Sequence, residues 1–236
     1  MVCAAAPLAA GDVTFDPTIT HDEFREFSLV AGQAIFASPV DPAGARGILG
    51  FDIGLAANAV KVDTNSSFWR KAVGSGITTS GYLVVPRLVV SKGFGGGNIA
   101  LSYAKFGDSG AKSYGGSLDL PIVNGGLVRP TLAVRGTYAD LRGLDVYRLK
   151  TYGLEVFLSK GFGPLTPYVA AGTMRTNAHG TIPSNRSNVP DLILTDTASV
   201  KRYTAGVRFS LLLPKISVEA TQAKQRSYAA KISFGF

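Results

Sequence analysis

The chain has 236 residues, 46% of them hydrophobic, and a formal charge of +8; the size suits one large domain, and no polar linker divides it. Its only cysteine, Cys3, excludes an intramolecular disulfide and a cysteine-based metal site. Mean hydropathy is +0.19, yet Arg87 interrupts the best apolar stretch, "YLVVPRLVV". No run reaches the roughly 18 residues of a membrane helix, whereas membrane strands spread their signal over many short alternating segments and are not excluded.

In chain order, the opening "MVCAAAPLAAGD" has the small residues of a signal-peptide cleavage region ending near Ala10, without the basic and apolar stretches that precede such a site. Residues 1–10 are therefore read as the remnant of a signal peptide, and 11–46 as an N-terminal segment. Within it, "HDEFREFSLVAGQAIFA" at 21–37 sets Phe24, Phe27, Ala31 and Ala34 at helical spacing. Asp22 and Glu23 occupy the first turn, where the helix dipole favours acids, and Pro39 and Pro42 end the helix. This helix either caps the rest of the molecule or plugs it.

From Gly47 onward the sequence breaks into about ten segments of period-two alternation: 47–61, 80–92, 98–106, 112–122, 128–140, 149–160, 165–177, 199–212, 215–224 and 226–236. Gly, Pro, Asn and Asp clusters separate them. After even segments the connections are tight, "GFGGG", "VNGGL", "GFGP" and "LPK", whereas 62–79 and 178–198 are long; short pairing within 141–148 and 178–198 would change the strand count by two. "VSKGFG" and "LSKGFG" are hairpin turns on one rim. They are not phosphate cradles, because neither leads into a helix with Lys-Ser/Thr.

The alternation separates two chemistries. Tyr203, Ala205, Val207, Phe209 and Leu211 share one face of their segment, against Arg202, Thr204, Gly206, Arg208 and Ser210. Tyr152, Leu154, Val156 and Leu158 oppose Thr151, Gly153, Glu155, Phe157 and Ser159, and the segment starting at Lys112 behaves alike. The polar face is largely Gly, Ser, Ala and Thr, which suits a confined lumen better than an open surface. The apolar face, with an aromatic at one end, then faces lipid.

The chain finishes on "SYAAKISFGF", where Tyr228, Ala230, Ile232, Phe234 and Phe236 face lipid. Lys231, Ser233 and Gly235 face the lumen. An unpaired edge is very costly in lipid, so this strand must pair with the first. Here the sequence resembles the small outer-membrane β-barrel proteins of Gram-negative bacteria. The closing strand of that family looks like a targeting signal for the assembly machinery, with Tyr228, Ile232, Phe234 and Phe236 carrying it. The resemblance spans about 47–236. With "GILGFDIGLAA" and "PTLAVRGTYADL", the chain is also similar, loosely, to a functionally uncharacterised proteobacterial group. The implied fold is all-β, a closed antiparallel transmembrane barrel of about ten strands over 47–236, in the outer membrane.

Sorting charges by face places Arg87, Arg129, Arg135, Arg175, Arg202, Arg208 and Lys231 in the lumen with Asp52, Asp119, Glu155 and Glu219. The lumen is then basic. It reads either as a salt-bridged filling or as a narrow anion-selective passage for small solutes; ten strands enclose little beyond their own side chains. The acids Asp22, Glu23 and Glu26 are expected to complement this basic interior if the helix plugs it.

In the loop 63–79, Trp69 beside Arg70 and Lys71 reads as an interface anchor meeting lipopolysaccharide phosphates. His179 with Asp191 or Asp196, near Ser184 and Ser187, is the rim pair from which a hydrolase could be built. The preferred reading is non-enzymatic, without cofactor or metal. Expected partners are outer-membrane lipids and lipopolysaccharide, the barrel assembly machinery and small anionic solutes. Nucleic acid is not expected, since no basic helix or exposed aromatic platform is visible.

Overall fold

The computed structural model describes residues 13–44, 47–73, 81–107, 110–126, 129–184, 190–211 and 213–236; the leader-like residues 1–10 and Ser187 lie outside these. Helix α1 spans His21–Ile35 and α2 spans Ser67–Val73. The strands are β1 Phe51–Lys61, β2 Tyr82–Phe94, β3 Gly97–Lys105, β4 Lys112–Val123, β5 Thr131–Arg142, β6 Tyr147–Ser159, β7 Leu165–Ile182, β8 Leu192–Ser210, β9 Pro214–Gln222 and β10 Arg226–Gly235. All neighbours pair antiparallel, and β1 pairs with β10 to close the barrel.

Closure depends on the chain's last residues. Ile53 faces Phe234 and Leu55 faces Ile232 across the seam. Phe51 and Phe236 exchange backbone hydrogen bonds at 2.9 and 3.0 Å, so no strand edge is left open to lipid. The two longest connections, β1–β2 and β7–β8, lie at one end, the long-loop end, and the seam closes at the other, the short-turn end. Pairing at the long-loop end runs beyond the expected segments: β7 and β8 extend to Ile182 and Leu192, pairing through most of 178–198.

Thr20 caps α1 in a reciprocal box with Glu23, its hydroxyl accepting from the Glu23 N–H while the Glu23 carboxylate accepts from the Thr20 N–H. The helix starts at the long-loop end, where His21 and Asp22 are exposed, and descends into the barrel, so that Phe27–Val30 and Gly32–Ile35 are buried. Asn58 of β1 donates to the carbonyls of Gln33 and Ala34 at 3.0 and 3.1 Å, satisfying acceptors that a helix end otherwise leaves open. Residues 36–44 continue down the lumen, buried almost throughout, before the chain turns at Gly47 into β1.

Inward-facing glycines make this passage. A methyl on Gly153 would enter the Phe36 ring, and one on Gly180 would lie 2.6 Å from Phe24. The glycines read as lining a confined lumen are thus sockets for a threaded segment.

Candidate functional site

Around residues 33–44 the described interior is densely polar. At its upper level Gln33 is held by its whole amide: Nε2 donates to the Gln225 carbonyl at 2.7 Å and to Ser227 at 3.0 Å, while Oε1 accepts from the Gln225 N–H at 3.1 Å. One level down, Phe36 lies beneath Arg202, whose guanidinium carbon is 3.9 Å from the ring centroid. Arg202 also pairs with Glu155 at 3.2 Å. Arg87 donates to the carbonyls of Phe36 and Ser38. A gap of about 10 Å³ remains beside Phe36, Arg87, Arg202 and Glu219, roughly one water's worth.

Asp41 is the hub of the next level. Its carboxylate accepts from Lys231 of β10 at 2.5 Å and from Arg208 of β8 at 3.3 Å. Its backbone carbonyl accepts from Arg135 of β5 at 3.0 Å. Lys231 also reaches Asp52 at 3.2 Å, and Lys215 approaches Asp52 at 3.4 Å. Arg135 grips Asp119 through two N–H groups at 2.6 and 2.9 Å, the fork that suits a carboxylate, and lies 4.2 Å over the Phe157 ring centroid. Tyr168 donates to Glu219 at 2.9 Å. Val40, buried just before Asp41, has φ +54°, a conformation costly for a β-branched residue. The surrounding contacts hold the strain.

Of the eleven charges read into the lumen, nine point inward: Arg87, Arg135, Arg202, Arg208, Lys231, Asp52, Asp119, Glu155 and Glu219. Two do not. Arg175 is exposed on the outer face, because inward positions on β7 are Tyr168, Ala170, Met174, Thr176 and Ala178. Arg129 is exposed at the β4–β5 turn, beside a vestibule of about 390 Å³ at the short-turn mouth. With these two out, and Lys215 and Asp41 in, the charges around residues 36–44 are six cations and five carboxylates. The interior is close to balanced instead of strongly basic.

The acids expected to supply that balance do not. Asp22 is exposed, Glu23 pairs with Lys71 at 2.9 Å and Glu26 with Lys224 at 2.6 Å, all near the long-loop rim. Glu23 is held down to about 2, first by the Thr20 backbone N–H and next by Lys71. Asp41, between Pro39 and Pro42, plays the part instead. In the sequence that Pro-Val-Asp-Pro run marks the end of the helix. An acid fixed between two prolines, after a helix and before a barrel, was the available signal.

Trp69 is buried and packs 6.1 Å from the Phe27 ring centroid. It belongs to an apolar cluster inside the long-loop end and does not anchor a membrane interface; α2 turns it inward onto α1. His179 faces outward, 3.2 Å from Thr195. Asp196, one residue on, points the opposite way by strand alternation and takes Arg25 at 2.9 Å and His21 at 3.6 Å. Asp191 accepts from the Ser184 N–H at 2.9 Å, so neither aspartate pairs with His179. Among the described residues no group of His, Cys, Asp and Glu could hold a metal, and no helix is long and apolar enough to cross a membrane.

Outside, an apolar band circles the barrel, with Leu55, Leu101, Leu154, Val169, Ile232 and Phe234 among its exposed residues. Tyr82, Tyr103, Tyr114, Tyr138, Tyr152, Tyr203 and Tyr228 rim it on the long-loop side. From Tyr228 to Phe236 the band runs roughly 27 Å along the strand, which suits a tilted crossing of hydrocarbon. The chain has the fold of an outer-membrane β-barrel.

Solved barrels similar to it include the N-terminal β-barrel domain of Pseudomonas aeruginosa OprF, with 14% identity, TM-score 0.36, and coverage of 78% of this chain and 97% of that one. Neisserial surface protein A gives 12%, 0.33, 79% and 97%. Omp33 of Acinetobacter baumannii gives 8%, 0.32, 80% and 100%. No family model and no curated protein matches.

Proposed function

We propose that this protein is an outer-membrane barrel sealed by its own N-terminal segment, with a structural or interaction role carried by the surface it presents outside. The observation that carries the reading is Asp41. One residue of the threaded segment engages cations from β5, β8 and β10, and a path that needs those cations free is blocked while it is there. The seam strand supports the location, since Tyr228, Ile232, Phe234 and Phe236 all lie on the lipid face and form the alternating aromatic-ended pattern that assembly machinery would read. Short turns then lie on the periplasmic side and the β7–β8 hairpin outside. No catalytic role is assigned.

Single-channel conductance in planar bilayers tests this. The intact chain is expected to be silent, and a variant lacking residues 13–40 with Asp41→Asn is expected to open small anion-selective steps. Steady conductance of the intact chain would refute the seal.

A narrow anion passage is the second reading, favoured by Arg129, Arg208 and Lys215 around the vestibule at the short-turn mouth. It requires the segment to withdraw and expose Arg87, Arg202 and Lys231. A voltage- or solute-dependent opening of the intact chain would support it.

A further inference from the structure

Charges on the outward faces of the strands are divided unequally between the two edges of the apolar band. At the short-turn edge, Lys92 is the single outward-facing strand cation among the described residues. At the long-loop edge, Lys105, Lys112, Lys150, Lys201 and Arg226 each stand two residues beyond a belt tyrosine, in "YAK", "KSY", "KTY", "KRY" and "RSY". Lys61, Arg142, Arg148 and Arg175 continue the same collar. Asp140 is the one carboxylate on the outward strand faces of the described residues, and Arg142 already holds it at 2.6 Å.

Register makes the collar costlier. Lys105 lies directly opposite Lys112, and Lys112 directly opposite Arg142, and like charges placed so are destabilising unless an anion comes between them. Asp140 lies directly opposite Lys150 but is held by Arg142, and among the described residues no ion pair joins a carboxylate to Lys105, Lys112, Lys150 or Arg175. Beside this row, a concavity of about 670 Å³ above Tyr152 is lined by Arg142, Arg148, Lys150, Asn177 and His179 together with Asp140 and Asp145.

We propose that the collar binds the phosphate groups of an outer-leaflet glycolipid of the lipid A type, with the concavity over Tyr152 seating one phosphorylated sugar. The tyrosines mark the depth at which hydrocarbon ends, and the cations stand one step farther out, where headgroup phosphates lie. Their concentration at one edge matches a membrane whose two leaflets differ in charge. The inference is independent of the sealed lumen, because no collar residue contacts residues 33–44.

Intact protein in phosphatidylcholine nanodiscs, titrated with diphosphorylated lipid A, with lipid A stripped of phosphate and with phosphatidylglycerol, tests it by native mass spectrometry of retained lipid. Diphosphorylated lipid A is expected to bind at least about tenfold more tightly than either other lipid, and more weakly as salt rises. The variant Lys105→Gln/Lys112→Gln/Lys150→Gln/Arg175→Gln is expected to lose about fivefold in affinity for each charge removed. Equal retention of dephosphorylated lipid A, or of phosphatidylglycerol, would overturn the proposal, and so would a folded variant that binds like the wild type. The lipid comparison uses the unaltered chain, so it decides even if the variant does not fold.

Discussion

The two halves of this barrel are built inside out with respect to each other. Below the tyrosine belt the outside is apolar and the inside is ionic, with Leu154, Val156 and Leu158 of β6 facing out while Glu155 faces in. Above it the same strand turns Arg148 and Lys150 outward and Tyr147 and Leu149 inward. There Phe15, Phe24, Phe27, Trp69 and Tyr147 form a closed aromatic cluster with centroid separations of 5.3 to 6.1 Å. Each half obeys the solvent it meets. Lipid draws apolar side chains outward and leaves the polar ones to pair within, and water does the reverse. α1 is the element common to both, with its first turns in the apolar cluster and its C-terminal end leading into the ionic layer.

This comparison can be broken from either half. Gly153→Leu would push Phe36 out of its socket beneath Arg202, a large overpacking expected to cost about 3 kcal/mol or more; the loss should appear in urea unfolding while the heat-modifiable barrel band persists. Asp41→Ala leaves Lys231 and Arg208 without their shared carboxylate, and removal of one member of a buried ion cluster costs about 3–5 kcal/mol. The same unfolding assay reads it, with Asp41→Asn expected to be milder. In the upper half, Phe27→Ala removes the ring between Phe15, Trp69 and Tyr147, at about 3–5 kcal/mol for the cluster. Limited proteolysis should then cut residues 13–35 while the strands resist.

Smaller effects sharpen the comparison at the rim. Thr20→Ala removes the helix cap at a cost of about 1 kcal/mol, visible as faster amide exchange confined to the first turn of α1. Glu23 is held down to about 2 by the Thr20 N–H and Lys71, so its contribution is complete above the ordinary carboxylate range and is lost as pH falls from there through about 2. Acidification should loosen α1 from α2, leaving the lumen pairs in place. Proteolysis at graded acidic pH with an acid-active protease measures this.

The fold is legible in the sequence wherever one solvent rule acts on a whole strand. The apolar stripes of β4, β6, β8 and β10, the closing Phe236 and the short-turn end all follow from period-two alternation in lipid. It is hidden where the rule changes sign. A cation on a lipid face is costly, which argues Arg175 inward, but Arg175 stands on the exposed outer face beyond the apolar band. The 178–198 stretch looks loop-like because outward positions such as His179, Thr195 and Thr197 are polar, and the length of the pairing it hides shows only in the closed barrel, where Ala178, Ile182 and Leu194 face in. Trp69 was assigned to the interface because the apolar cluster that buries it is assembled from residues far apart in the chain. Asp41 was overlooked because its partners Arg135, Arg208 and Lys231 lie 94, 167 and 190 residues away, distances that only the closed barrel bridges.

Amide hydrogen exchange of the intact protein in lipid nanodiscs tests the threaded segment most directly. The account predicts that Phe27–Ile35 and the non-proline residues of 36–41 exchange as slowly as the paired strands β5 and β6, because the barrel excludes water from them. Exchange of that segment within seconds, beside protected strands, would contradict it.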